Sequence, residues 1–228
     1  MGEMPMAGGG TMSMAWTRMP GQTWPGTAAS FLVMWVVMMV AMMLPSLLPM
    51  LWRYRQAVGR TGGTRLGLLT ALVGMGYFFV WSVFGMAVFP LGVALAAVEM
   101  QHPALARAVP IAIGMVVLMA GTFQLTAWKA RHLAYCSEAP GPGRTLPAGA
   151  RTAWRHGLRL GLHCSQCCVG LMAILLVVGV MNLGAMAVVA AAITVERLAP
   201  AGERVAQATG AVVVGAGLFL IARAAGLG

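Results

Sequence analysis

Phe31-Leu-Val-Met34-Trp-Val-Val-Met38-Met39-Val-Ala-Met42-Met43-Leu-Pro45-Ser-Leu-Leu-Pro49-Met-Leu51 carries no charged side chain. A helix of about 20 apolar residues, rising 1.5 Å per residue, crosses a hydrocarbon core of roughly 30 Å. The stretch therefore reads as a membrane-spanning helix. Runs from Leu66 to about Val98 and from Ala108 to Trp128 read the same way. The 37 residues between Arg159 and Arg197 are too many for one span, because a single helix of that length measures about 55 Å. Gly179, Asn182 and Gly184 divide them into a tight helical hairpin, and Ala206 to Ala224 supplies a last span. The fold class expected is all-α, a polytopic transmembrane helical bundle of about six spans. The alternative has five, with Cys164 to Cys168 in a loop and one tilted helix from Val169 to Val195.

Composition agrees. The 228 residues are 60% hydrophobic and 9% charged, with a mean hydropathy of +0.83, whereas soluble domains carry about 25% charge. Aspartate is absent, and the acids are Glu3, Glu99, Glu138, Glu196 and Glu203, so an oxygen-rich calcium or magnesium site lacks its usual ligands. The net charge of +10 does not point to nucleic acid, since the arginines gather between the apolar runs as membrane orientation requires. Arg53, Arg55, Arg60 and Arg65 follow the first run, and Lys129, Arg131, Arg144, Arg151, Arg155 and Arg159 lie between the third and fourth. The positive-inside rule makes both loops cytoplasmic and leaves the N terminus outside.

Residues 1–29 lack the basic start and short apolar core of a cleavable signal and contain Gly8-Gly9-Gly10. They are expected to form a retained, flexible, methionine-rich tail, with Met4-Pro5-Met6 and Met12-Ser13-Met14 as alternating pairs. The transmembrane helical domain then covers 30–228, with a Pro/Gly-rich cytoplasmic linker at 139–150.

Sulfur and imidazole are the chemistry that remains. Cys164, Cys167 and Cys168 fall at i, i+3 and i+4, one face of a helix. Thiols so placed can share a soft metal ion or exchange a disulfide. The fourth cysteine, Cys136, lies four residues after His132, and His163 precedes Cys164. The topology brings these groups to one membrane surface, where they can form a single Cys/His site. In the first span Met34, Met38 and Met42 make one i, i+4 stripe and Met39 and Met43 another; thioethers suit Cu(I), although methionine also serves as adaptable core packing. Pro45 and Pro49 are expected to kink or unwind the inner half of that span. Gln124, Thr126, Asn182 and Glu196 are intramembrane polar candidates, with Glu196 paired to an arginine at the interface.

Over roughly residues 31–225 the chain resembles a bacterial family of predicted metal-binding integral membrane proteins. The resemblance rests on Met38-Met39-Val-Ala41-Met42-Met43-Leu-Pro45, Gly76-Tyr77, Trp81, Gly121-Thr-Phe-Gln124-Leu-Thr126, Lys129 and Cys136. It continues through His156-Gly157, Gly161, Cys164, Cys167-Cys168, Met172, Gly179-Val-Met181-Asn182-Leu183 and Glu196-Arg197. The family pattern after the lysine is Cys-Leu-x-x-Cys; here His132 takes the place of the first cysteine, which keeps a metal ligand and removes a dithiol. The resemblance implies metal binding in a bacterial cytoplasmic (inner) membrane.

The function expected is binding and translocation of a soft metal ion, Cu(I) first and Zn(II) second. The ligands are Cys136, Cys164, Cys167, Cys168, His132 and His163, reached along Met38, Met39, Met42 and Met43. Partners are the bilayer, the ion and a metallochaperone or other membrane protein. The competing classes are a membrane thiol-disulfide oxidoreductase and a scaffold or assembly subunit. No nucleotide-binding motif is present to drive a pump.

Overall fold

A computed structural model describes residues 3–5, 11–13, 23–58, 63–101, 103–138, 146–180 and 182–226. Among them are seven helices: α1 (Trp24–Val58), α2 (Gly63–Gln101), α3 (Pro103–Gln124), α4 (Ala127–Glu138), α5 (Ala150–Val178), α6 (Leu183–Leu198) and α7 (Gly202–Ala224). Two short strands, β1 (Glu3–Pro5) and β2 (Thr11–Ser13), pair antiparallel with Met4 opposite Met12. The rest of the methionine tail up to residue 22 lies outside the described residues, as does the linker at 139–145.

Four helices (α1, α2, α5 and α7) are long and apolar enough to cross a membrane, and the count is five if α3 and α4 form one bent span. Helix α6 has 16 residues. Helix α1 starts at Trp24, so the boundary expected at residue 29 falls earlier, and it continues through Pro45 and Pro49 rather than unwinding there. The hydroxyl of Ser46 donates back to Met43 O at 3.0 Å, a local side-chain bond in the turn that holds Pro45.

The third apolar run does not continue straight to Trp128. It breaks after Gln124, and the axis turns by 66° into α4. Leu125 N and Thr126 N donate to Thr122 O and Phe123 O, both at 3.1 Å. These i→i−3 bonds tighten and end α3. Thr126 Oγ1 then accepts from Lys129 N at 3.3 Å, starting α4 as a capping hydroxyl does.

The hairpin between α5 and α6 falls where the glycines and asparagine put it. Gly179 takes φ 123°, a conformation closed to most side chains, and donates its N–H to Leu175 O at 3.1 Å. Asn182 caps α6 by accepting from Ala185 N at 3.0 Å. The layout drawn for the five-span alternative is not the one observed: Cys164 to Cys168 are helical, within α5, and α5 and α6 are separate helices rather than one from Val169 to Val195.

Helices α2 and α5 approach closely because glycines face each other's backbone. A Cβ on Gly76 would lie 2.8 Å from Trp154 O, and one on Gly157 would run into Val73 O. Small residues at a helix crossing let two backbones meet. At the same end of the bundle Leu146 N donates to Ala57 O at 2.9 Å and Arg65 Nη2 to Ala148 O at 3.2 Å. The end of α1 and the start of α2 thus lie beside the segment before α5. The main core lies among α1, α2, α4, α5 and α6, and it contains all four cysteines.

Candidate metal centre

The apolar periodicity of α5 turns Cys164, Cys167 and Cys168 inward together, and all three are buried. Helix α4 adds the buried Cys136 and α1 adds Met38, Met39, Met42 and Met43, all buried. With Met50 and Met172, six methionines and four cysteines share this core cluster. Met38, Met39, Met42 and Met43 of α1 are therefore turned into the core that also holds the thiols, with Met34 partly buried against it. All four cysteines are free.

Arg197 stands where the thiols converge. It is 4% exposed, and its Nη2 donates to Cys167 Sγ at 3.3 Å, Cys168 Sγ at 3.6 Å and Cys136 Sγ at 3.9 Å. Its Nη1 donates to Ser46 Oγ at 3.1 Å, and its Nε is buried with no hydrogen-bond partner among the described residues. Cys167 and Cys168 have their sulfurs 3.6 Å apart. Cys164 is held differently, with its sulfur 2.8 Å from the Tyr77 hydroxyl.

The histidines stand apart from this convergence. His132 Nδ1 and His163 Nδ1 are 2.9 Å from each other, so one ring donates and the other accepts. Trp128 covers His132 with ring centroids 4.2 Å apart, and Tyr135 covers His163 at 3.9 Å. Among the described residues no group of three or more His, Cys, Asp or Glu is arranged to hold a metal ion. The single Cys/His site read from the sequence is thus divided into a thiol group around a guanidinium and a half-buried histidine pair.

A second buried network adjoins the first. Lys129 Nζ lies 2.7 Å from Glu196 Oε2, and the two side chains are 1% and 2% exposed. Gln124 bridges them, donating from Nε2 to Glu196 Oε1 at 2.8 Å and accepting from Lys129 Nζ. Glu196 is therefore neither interfacial nor paired with an arginine, and Lys129 is not a loop charge. Both the ion pair and Arg197 escape the positive-inside reading, which treats a cation at the end of an apolar run as topology. A signal was available: Lys129 is the sole lysine beside fourteen arginines. A lysine in such company marks a position where the compact ammonium is wanted.

The chemistry of the donor set is that of a soft monovalent ion. Among the described residues the cluster gathers thiols and thioethers, soft ligands that suit Cu(I). A sequence-family profile described as PpoB2, copper chaperone, matches residues 32–220. The chain belongs to this copper chaperone family. Comparison with curated proteins and with solved structures finds no match. Membership in the copper chaperone family agrees with the metal-related resemblance carried by the cysteine and methionine motifs, and it selects copper. Zinc gains no support, because its usual four-ligand tetrahedral set has no counterpart among the described residues.

Proposed function

We propose that the chain is a membrane-embedded Cu(I) carrier of the bacterial inner membrane, in which the sulfur-lined core receives copper and passes it to a partner protein. The observation that carries this reading is the gathering of ten sulfur side chains, four of them free cysteines, in one buried cluster of a chain belonging to a copper chaperone family. Thiolate and thioether select Cu(I) over harder ions. The methionines of α1 offer weak sites along the way, and Cys136, Cys164, Cys167 and Cys168 the tighter one.

The membrane setting is supported by large apolar side chains on outward faces, among them Val33, Val37, Leu44 and Leu48 of α1 and Val212, Leu218 and Phe219 of α7. Contiguous exposed apolar surface of this kind needs a nonaqueous neighbour. In this reading the chain crosses the bilayer six times, with α6 a short crossing and α3–α4 one bent span. The N terminus is outside, where the methionine tail gathers copper, and the arginine-rich ends are cytoplasmic. The His132–His163 pair offers a surface relay to a metallochaperone, since neutral imidazole also ligates copper.

Copper retention by the purified full chain tests this. Wild type is expected to hold Cu(I) stoichiometrically against a chromophoric chelator under anaerobic reducing conditions, and the Cys164/Cys167/Cys168→Ser variant to lose it. A copper-free wild type that cycles between dithiol and disulfide would overturn the reading in favour of a thiol oxidoreductase.

A further inference from the structure

Arg197 is a buried cation without a buried anion. Its partners among the described residues are one hydroxyl and three thiols, and the carboxylate next to it in sequence, Glu196, is taken by Lys129. A buried charge is costly unless paired, and a buried salt bridge two side chains away shows that this fold can supply a carboxylate where one is required. The buried Nε, without a hydrogen-bond partner among the described residues, marks the environment of the guanidinium as incomplete.

We infer that Arg197 is the counter-charge of the loaded site, chosen for a metal–thiolate complex with a single negative charge. This rests on the copper-carrier reading and specifies which form of copper the site accepts. Two thiols that take up one cuprous ion lose two protons to water: Cu⁺ + 2 RSH → [Cu(SR)₂]⁻ + 2 H⁺, with a charge of +1 on each side. The guanidinium neutralises that monoanion, so the filled site is neutral overall and the buried charge acquires its partner. The two sulfurs come from Cys136, Cys167 and Cys168, the three that Arg197 Nη2 reaches. A divalent ion reaches the same single charge only with a third thiolate: zinc on two is neutral and leaves the guanidinium unpaired, zinc on four is a dianion left half compensated, and no three such ligands are arranged to hold a metal ion among the described residues. The role calls for a fixed, permanently charged group with several donors, which arginine supplies better than lysine.

The test compares wild type, Arg197→Lys and Arg197→Gln as purified full chains, by Cu(I) competition against a chromophoric chelator and by Zn(II) titration, with thermal unfolding as the check on folding. Arg197→Gln is expected to weaken Cu(I) by about 10–100-fold, the range typical of losing a partner of a metal ligand. Arg197→Lys is expected to recover most of that loss, and Zn(II) binding is expected to stay unweakened in both. Cu(I) held by Arg197→Gln as tightly as by wild type overturns the inference while leaving the carrier reading intact; a wild type that binds no Cu(I) overturns both. X-ray absorption on the copper-loaded wild type serves as an independent readout should Arg197→Gln fail to fold. Two short copper–thiolate bonds are expected, with any further sulfur at the longer distance of a neutral thioether; three or four short thiolate bonds overturn the inference, because the complex would then exceed one negative charge.

Discussion

Glu196 and Arg197 are consecutive in α6 and both buried, yet each serves a different network: Glu196 Oε2 lies 2.7 Å from Lys129 Nζ, and Arg197 Nη2 lies 3.3 Å from Cys167 Sγ. Neighbours on a helix diverge by about 100°, so α6 aims one charge into the bend between α3 and α4 and the other into the sulfur core. The α3–α4 bend, the sulfur-lined core and the end of α6 are thereby tied together by two residues.

The Lys129–Glu196 pair is expected to hold the α3–α4 bend against α6. Removing one member strands the other's charge in the interior, which typically costs about 3–5 kcal/mol. Lys129→Met and Glu196→Leu should each lower the unfolding free energy in detergent by that order. The double variant should regain much of it, because no charge is left stranded. Single variants as stable as wild type would show that water reaches the pair through the small pocket beside it, about 140 Å³ and lined in part by Gln124, Lys129 and Gln207.

The α2–α5 crossing should tolerate no added carbon. Gly157 faces Val73 O and Gly161 faces Tyr77 O, so a side chain at 157 must push α2 away. Overpacking of this kind costs about 1–3 kcal/mol, and Gly157→Val is expected at the upper end, measured by thermal unfolding. The same shift moves Tyr77 from Cys164. An unchanged melting temperature would mean that the two helices part without penalty.

Much of this fold was legible because the decisive signals are short-range. Gly179 and Asn182 break the long apolar stretch where a positive-φ residue and an N-cap are required, and the i, i+3, i+4 spacing puts Cys164, Cys167 and Cys168 on one face. The bend after Gln124 was not legible: Leu125 and Thr126 continue the apolar run, and the turn depends on Gln124 reaching Lys129 and Glu196 across the bundle. The burial of Arg197 escaped for the same reason. A cation at the end of an apolar helix has the same sequence appearance whether it enters solvent or turns back into the core, and the thiols it meets come from α4 and α5. His132 and His163 lie on the same two helices as Cys136 and Cys164, but they pair with each other and pack against Trp128 and Tyr135.

Topology can be read without disturbing the native thiols, which are buried and should resist membrane-impermeant reagents in the folded protein. Arg53→Cys and Arg151→Cys occupy exposed positions at one end of the bundle, and Gln101→Cys is exposed beyond the far end of α2. In sealed inside-out vesicles the first two are expected to label and the third to stay silent, with the pattern reversed in right-side-out vesicles. Labelling of Arg53→Cys and Gln101→Cys from the same side would contradict a crossing by α2 and with it the orientation drawn from the arginines.

The four cysteines should not contribute equally to copper binding. Arg197 Nη2 reaches Cys136, Cys167 and Cys168, whereas the sulfur of Cys164 is engaged by the Tyr77 hydroxyl at 2.8 Å. Losing a metal ligand should exceed the roughly 10–100-fold that losing a ligand's partner costs. Cys167→Ser, at the shortest guanidinium contact, is therefore expected to weaken Cu(I) by more than that range, and Cys164→Ser by only a few-fold. Tyr77→Phe separates structure from binding at the same position. Removing one buried hydrogen bond should cost about 0.5–1.5 kcal/mol of stability and leave Cu(I) affinity close to wild type. Equal losses from Cys164→Ser and Cys167→Ser in chelator competition would place Cys164 in the copper pair, and Tyr77 would then be orienting a ligand.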